Sequence, residues 1–85
     1  MSAPKVVMYV TDWCPYCTRA RCLLEAKGVT AHEIDVDVVP GAREEMRARS
    51  GRDTVPQIFI GERHVGGSDE LQALDAAGTL DEILN

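Results

Sequence analysis

Val6-Val7-Met8-Tyr9-Val10-Thr11-Asp12-Trp13-Cys14-Pro15-Tyr16-Cys17 runs from an apolar segment into a cysteine pair that opens a helix-patterned stretch. Lys5 to Val10 is rich in β-branched residues and predicts a short buried strand. Pro15 suits the first position of a helix, where its missing N–H has no partner to lose. Ala20, Leu23, Leu24 and Lys27 then recur at helical spacing, and Gly28 supplies a left-handed stop. The cysteines therefore sit where a strand hands over to a helix. The orphan N–H groups of a first helical turn and the aligned peptide dipoles favour an anion at that point, here a thiolate. The thiolate is the form of sulfur that attacks disulfides. In an intracellular chain, a Cys-X-X-Cys pair beside a strand–helix–strand pattern reads as a thiol–disulfide exchange site.

Downstream, Glu33 to Val38 alternates acidic and apolar residues and predicts a half-exposed strand. Pro40 is expected to open a second helix that runs through Met46 and ends at Gly51. Val55 to Ile60 reads as the next strand, Gly61-Glu62-Arg63 as a turn, and His64-Val65 as the start of a hairpin partner closed by Gly66-Gly67. Ser68 or Asp69 is expected to cap a third helix reaching Gly78, with Asp69 and Gln72 spaced like a capping box. Thr79 caps a last short turn ending at Leu84. The class is α/β, in the order β-α-β-α-β-β-α. The first strand–helix–strand unit should be parallel and right-handed, with helices flanking a mixed four-stranded sheet. Residues 1–85 are expected to form a single domain, since this length leaves no room for a second core.

The net charge of -5 argues against nucleic acid, which needs a basic face. No stretch approaches the ~20 apolar residues of a membrane span, and the N-terminal residues carry no apolar signal region. A cytoplasmic location without membrane attachment is expected. Three cysteines suit a reduced chain with one working pair better than a disulfide scaffold. Arg19, Arg21, Arg43, Arg47, Arg49 and Arg52 group the positive charge, which reads either as solvated helix faces balanced by Glu44 and Glu45 or, in a sharper alternative, as placing Arg52 at the border of a site for a small anion.

Cys14-Pro15-Tyr16-Cys17, Thr54-Val55-Pro56, Gly66-Gly67 and the acidic helix start Asp69-Glu70 together resemble the glutaredoxin family, within the thioredoxin-like superfamily. The similarity runs from Val6 to about Leu84 and is nearest to small bacterial dithiol members of the glutaredoxin-3 type. It implies a thioredoxin-like fold, no bound cofactor or metal, and glutathione as co-substrate. It also implies Cys14 as nucleophile and Cys17 as the cysteine that resolves a mixed disulfide. A glutathione site would comprise Tyr16, Arg52, Thr54, Val55, Pro56, Gly67, Ser68, Asp69 and Glu70. Pro56 would follow a cis bond, and Val55 would offer its backbone to the cysteinyl portion of glutathione. The Gly67–Glu70 segment would hold the γ-glutamyl end, with either Asp69 or Glu70 taking its amino group. Expected partners are glutathione and disulfide-containing or glutathionylated proteins such as ribonucleotide reductase, served by a monomer.

Three positions depart from the family pattern. Thr11 stands where many members carry a lysine, so Arg52 is the candidate for the glycine carboxylate of glutathione. Trp13 replaces a small residue and either meets protein substrates or packs at the strand–helix corner. Ser68 replaces an additional cysteine found in several relatives. Other readings are a thioredoxin-like reductant recharged by a flavin-dependent reductase, and an iron–sulfur cluster carrier using Cys14 with external glutathione. Half of a zinc site is disfavoured, because only Cys22, His32 and His64 remain as ligands and none has zinc-site spacing with the pair. Cys22 reads as a bystander off the apolar helix stripe, and His32 and His64 as strand-surface residues.

Overall fold

The computed structural model describes residues 4–85, so the first three residues of the expected 1–85 domain lie outside the described residues. The elements run β1 (Val6–Val10), α1 (Pro15–Ala26), β2 (His32–Asp35), α2 (Ala42–Ser50), β3 (Gln57–Ile60), β4 (Arg63–Gly66), α3 (Ser68–Ala76) and α4 (Thr79–Leu84). The four-stranded sheet has the order β2-β1-β3-β4. β1 pairs parallel with β2 and antiparallel with β3, which pairs antiparallel with β4. The sheet is mixed, as expected.

Alternation along the strands divides the core between the two faces of the sheet. Met8, Val10, Ile58 and Ile60 point to one side and pack with Cys17, Ala20 and Leu24 of α1, Leu71 of α3 and Leu80 of α4. Tyr9 and Phe59 point to the other and pack with Val36 and with Ala42 and Met46 of α2. Cys17 thus belongs to a buried layer that anchors the first turn of α1. The redox end of that helix is fixed by packing.

Several boundaries differ from the sequence expectation. β2 stops at Asp35 and does not continue to Val38. The Asp35 side chain accepts from Asp37 N–H at 2.9 Å and its carbonyl accepts from Val39 N–H at 2.9 Å, which turns the chain out of the sheet. Pro40 does not open α2: Gly41 intervenes in the left-handed region (φ 77°), and the helix begins at Ala42. Gly51 ends it as expected, also left-handed. β3 begins at Gln57, where the ladder with Tyr9 starts, and not at Val55. Pro56 has no N–H to give a ladder. Arg63 lies in β4, and the turn is Gly61-Glu62. α3 is capped from Gly67 by Glu70, not by Ser68 or Asp69, and Gln72 instead donates to Ser68 Oγ at 3.0 Å. The cap position of α4 is Gly78 rather than Thr79. On α2, the arginine charges are met largely from outside the helix: Arg43 pairs with Asp37 and Asp53, Arg47 with Asp53, and Arg49 with Glu45.

Candidate redox site and its groove

Cys14 is the residue that ends the connection from β1 and caps α1. Its extended backbone (φ -150°, ψ 98°) places its side chain over the first helical turn, with Pro15 in the turn itself. The Cys17 N–H donates to Cys14 Sγ at 3.1 Å. One of the orphan donors of the helix start is therefore aimed at this sulfur, in the manner of an N-cap oxygen. The Cys14 carbonyl accepts from Thr18 N–H at 3.1 Å and Thr18 Oγ1 at 3.3 Å, which fixes the cap from the other side.

Cys14 and Cys17 are joined in a disulfide, with their Cα atoms 5.1 Å apart. The two sulfurs are not equivalent. Cys17 is 1 % exposed and sits in the core, whereas Cys14 is half-buried at the surface. A reagent arriving from solvent meets Cys14. Cys14 Sγ also lies 4.0 Å from the carbonyl oxygen of Val55, so the start of α1 faces the segment entering β3. The Val55–Pro56 bond of that segment is cis, as expected.

Every residue expected at the glutathione site lines one open groove of about 180 Å³ beside the pair. Tyr16 forms one wall from α1, 55 % exposed, with the Arg19 guanidinium 5.5 Å from its ring centre. Arg52, Thr54, Val55 and Pro56 form the second wall, and Gly67 to Glu70 at the start of α3 form the third. Glu70 is already engaged. Its carboxylate accepts from Gly67 N–H at 2.8 Å and from Arg52 Nη1 at 2.5 Å. The Gly67 N–H and then the Arg52 guanidinium hold its carboxyl below the ordinary range. Gly66 makes this possible: its φ is 118°, and a Cβ there would run into Glu70 Oε1. Asp69 is exposed in the same turn, and among the described residues no ion pair engages it.

Trp13 is 88 % exposed next to Cys14, so the corner-packing alternative is excluded. Cys22 is free and exposed on α1, and His32 is exposed on β2. His64 corrects the expectation of a plain surface residue. It is half-buried, stacks on Phe59 with ring centres 4.9 Å apart, and bonds through Nε2 to Gln57 Oε1 at 2.7 Å. Burial, followed by the charge of Arg52, lowers its pKa, against an opposing contribution from Glu70. Gln57 is a further structural residue of this wall, outside the residues expected from sequence. A single amide inside the apolar run Val55 to Ile60 was the available signal, since a buried polar side chain needs partners.

The glutaredoxin family profile matches residues 6–65. Glutaredoxin 3 of Escherichia coli (strain K12) is 54% identical over 79 residues, covering 93% of this chain and 95% of that protein. The solution structure of a glutaredoxin from Brucella melitensis superposes with a TM-score of 0.85 at 51% identity, over 99% of this chain and 91% of the other. The crystal structure of a buckwheat glutaredoxin–glutathione complex superposes with a TM-score of 0.87 at 28% identity, over 96% of this chain and 76% of the other.

Proposed function

The chain belongs to the glutaredoxin family and is a glutathione-dependent disulfide oxidoreductase; on that premise we propose that its Cys-Pro-Tyr-Cys dithiol reduces both glutathionylated proteins and protein disulfides. The observation that carries this reading is the asymmetry of the pair. Cys14 Sγ receives a helix-terminal N–H at the surface, and Cys17 lies buried beneath it.

With a glutathionylated protein, the Cys14 thiolate attacks the glutathione sulfur. The protein thiolate leaves, and Cys14 carries glutathione in a mixed disulfide. A second glutathione, as thiolate, attacks the glutathione sulfur of that bond, giving oxidised glutathione and restoring the Cys14 thiolate. With a protein disulfide, Cys14 forms a mixed disulfide with one substrate sulfur. Cys17 gives up its proton and attacks Cys14, releasing the reduced substrate and leaving the Cys14–Cys17 bond. Two glutathione molecules then reduce that bond. Exchange of this kind is governed by the thiolate fraction of the attacker and the acidity of the leaving thiol.

The groove supplies the glutathione site in this reading. Val55 gives backbone groups to the cysteinyl portion, close to Cys14 Sγ. The free N–H groups at the start of α3 take the γ-glutamyl carboxylate, as helix N-termini take anions. Asp69 takes the amino group in preference to Glu70, whose carboxylate is held by Gly67 and Arg52. Arg52 keeps donors beyond the one given to Glu70, and these meet the glycine carboxylate. Tyr16, Thr54, Pro56, Gly67 and Ser68 complete the walls. Trp13 offers apolar surface beside Cys14 to protein substrates, with disulfide-forming reductases such as ribonucleotide reductase in the partner class. Among the described residues, no helix is long and apolar enough to cross a membrane.

The test is a coupled assay with glutathione and glutathione reductase, run beside one with thioredoxin reductase. Turnover in the first supports the proposal. Turnover in the second alone replaces it with a thioredoxin-like reductant.

A further inference from the structure

The groove wall that carries Val55 is braced from behind by side chains that do not line it. Gln57 is fully buried, and its Nε2 donates to the Thr54 carbonyl at 3.0 Å and to Thr54 Oγ1 at 3.1 Å. Both amide protons are thereby used, so Oε1 is the end that faces His64 Nε2 at 2.7 Å. His64 must then donate, which assigns the proton to Nε2. That proton is present in the Nε2–H tautomer and in the imidazolium alike. The imidazole is in turn stacked on Phe59, its cross-strand partner, and the Arg49 guanidinium also lies against that ring, 4.1 Å from its centre.

We propose that His64 is a positioning residue for glutathione, acting through Gln57 to hold Thr54, and with it the Val55 backbone, in the shape the groove requires. The inference rests on the reading of the groove as the glutathione site. Without the His64 donor, Gln57 Oε1 is left buried and unpaired, and the amide loses the bond that fixes its orientation toward Thr54. An amide free to shift weakens its bonds to the Thr54 carbonyl and hydroxyl, and the hold on that residue loosens. Thr54 lines the groove and Gln57 and His64 do not, so the effect reaches the ligand only through this chain of bonds.

The experiment compares glutathione kinetics of His64→Phe, His64→Gln and Asp69→Ala with the parent enzyme, using a small glutathione mixed disulfide as the second substrate. His64→Phe keeps a ring on Phe59 but removes the donor. It is expected to raise the glutathione KM about fivefold, the size of one lost neutral hydrogen bond, with kcat changed less than about twofold. His64→Gln restores a donor without the ring and is expected to bring KM most of the way back. An unaltered KM in His64→Phe, alongside a raised one in Asp69→Ala, overturns the brace while leaving the groove in place. Unaltered values in both overturn the groove reading, and the brace falls with it. A second measurement does not depend on any variant folding: in the parent protein, the two Gln57 side-chain amide protons should exchange slowly with solvent. Rapid exchange of both overturns the proposal.

Discussion

Replacing Glu70 by Ala removes two contacts at once, and the structure assigns them different sizes. The cap on Gly67 N–H belongs to a class whose loss costs about 1 kcal/mol. The Arg52 pair has side chains 49% and 41% exposed and so adds no more than about 0.5 kcal/mol. Together, about 1–1.5 kcal/mol corresponds to a fall in Tm of about 5–10 °C in a domain of this size. Circular dichroism melts of the reduced protein at neutral pH measure it. The pH dependence follows from the depressed carboxyl of Glu70 in the folded chain. A group with a lowered folded pKa stabilises above its unfolded value, about 4.3, and loses that contribution as pH falls through the folded value. The gap between parent and Glu70→Ala should therefore be full at neutral pH and narrow as pH falls below about 4. Glu70→Gln keeps an acceptor for Gly67 and should recover most of the lost Tm. A Glu70→Ala protein with parent Tm, or a gap that does not narrow in acid, would refute the reasoning.

Cys17→Ser should retain or raise the rate of deglutathionylation and abolish reduction of protein disulfides, measured with one substrate of each kind; loss of both would reassign the pair. Arg52→Ala should raise the glutathione KM about three- to tenfold, the range for a partly exposed charged contact. An unchanged KM together with an unchanged Cys14 acidity would remove Arg52 from the site. Trp13→Ala should leave stability within about 0.5 kcal/mol, because the side chain is exposed. It should slow reduction of a protein disulfide but not of a small mixed disulfide, and equal effects on both would exclude a role in protein recognition.

The features legible from residue types were those governed locally. Apolar, β-branched content marks the strands within Lys5 to Val10 and Val55 to Ile60, and Gly28 and Gly51 mark helix ends through their own backbone freedom, whereas the division of the core between the two sheet faces comes from the structure. The groove residues are legible only through a family resemblance that joins segments far apart in sequence. The misses were settled by competition between neighbours or by distant contacts. Asp35 drew the chain out of β2 with its own side chain, and Gly41 displaced the helix start from Pro40. The two acidic residues at the start of α3 are equivalent by residue type and differ only in the fold, where Glu70 turns back onto Gly67 into room that depends on Gly66. His64 appeared superficial because its partners, Gln57 and Phe59, lie on the adjacent strand.

In the proposed mechanism the Cys17 N–H and the start of α1 hold Cys14 as an anion, with Thr11, rather than a lysine, upstream. Ultraviolet titration of thiolate absorbance in the reduced protein, with Cys17 and Cys22 replaced by serine in a second sample to isolate the signal, measures this directly. Half-ionisation well below the ~8.5 of a free cysteine is the predicted result. A midpoint at that ordinary value would contradict it.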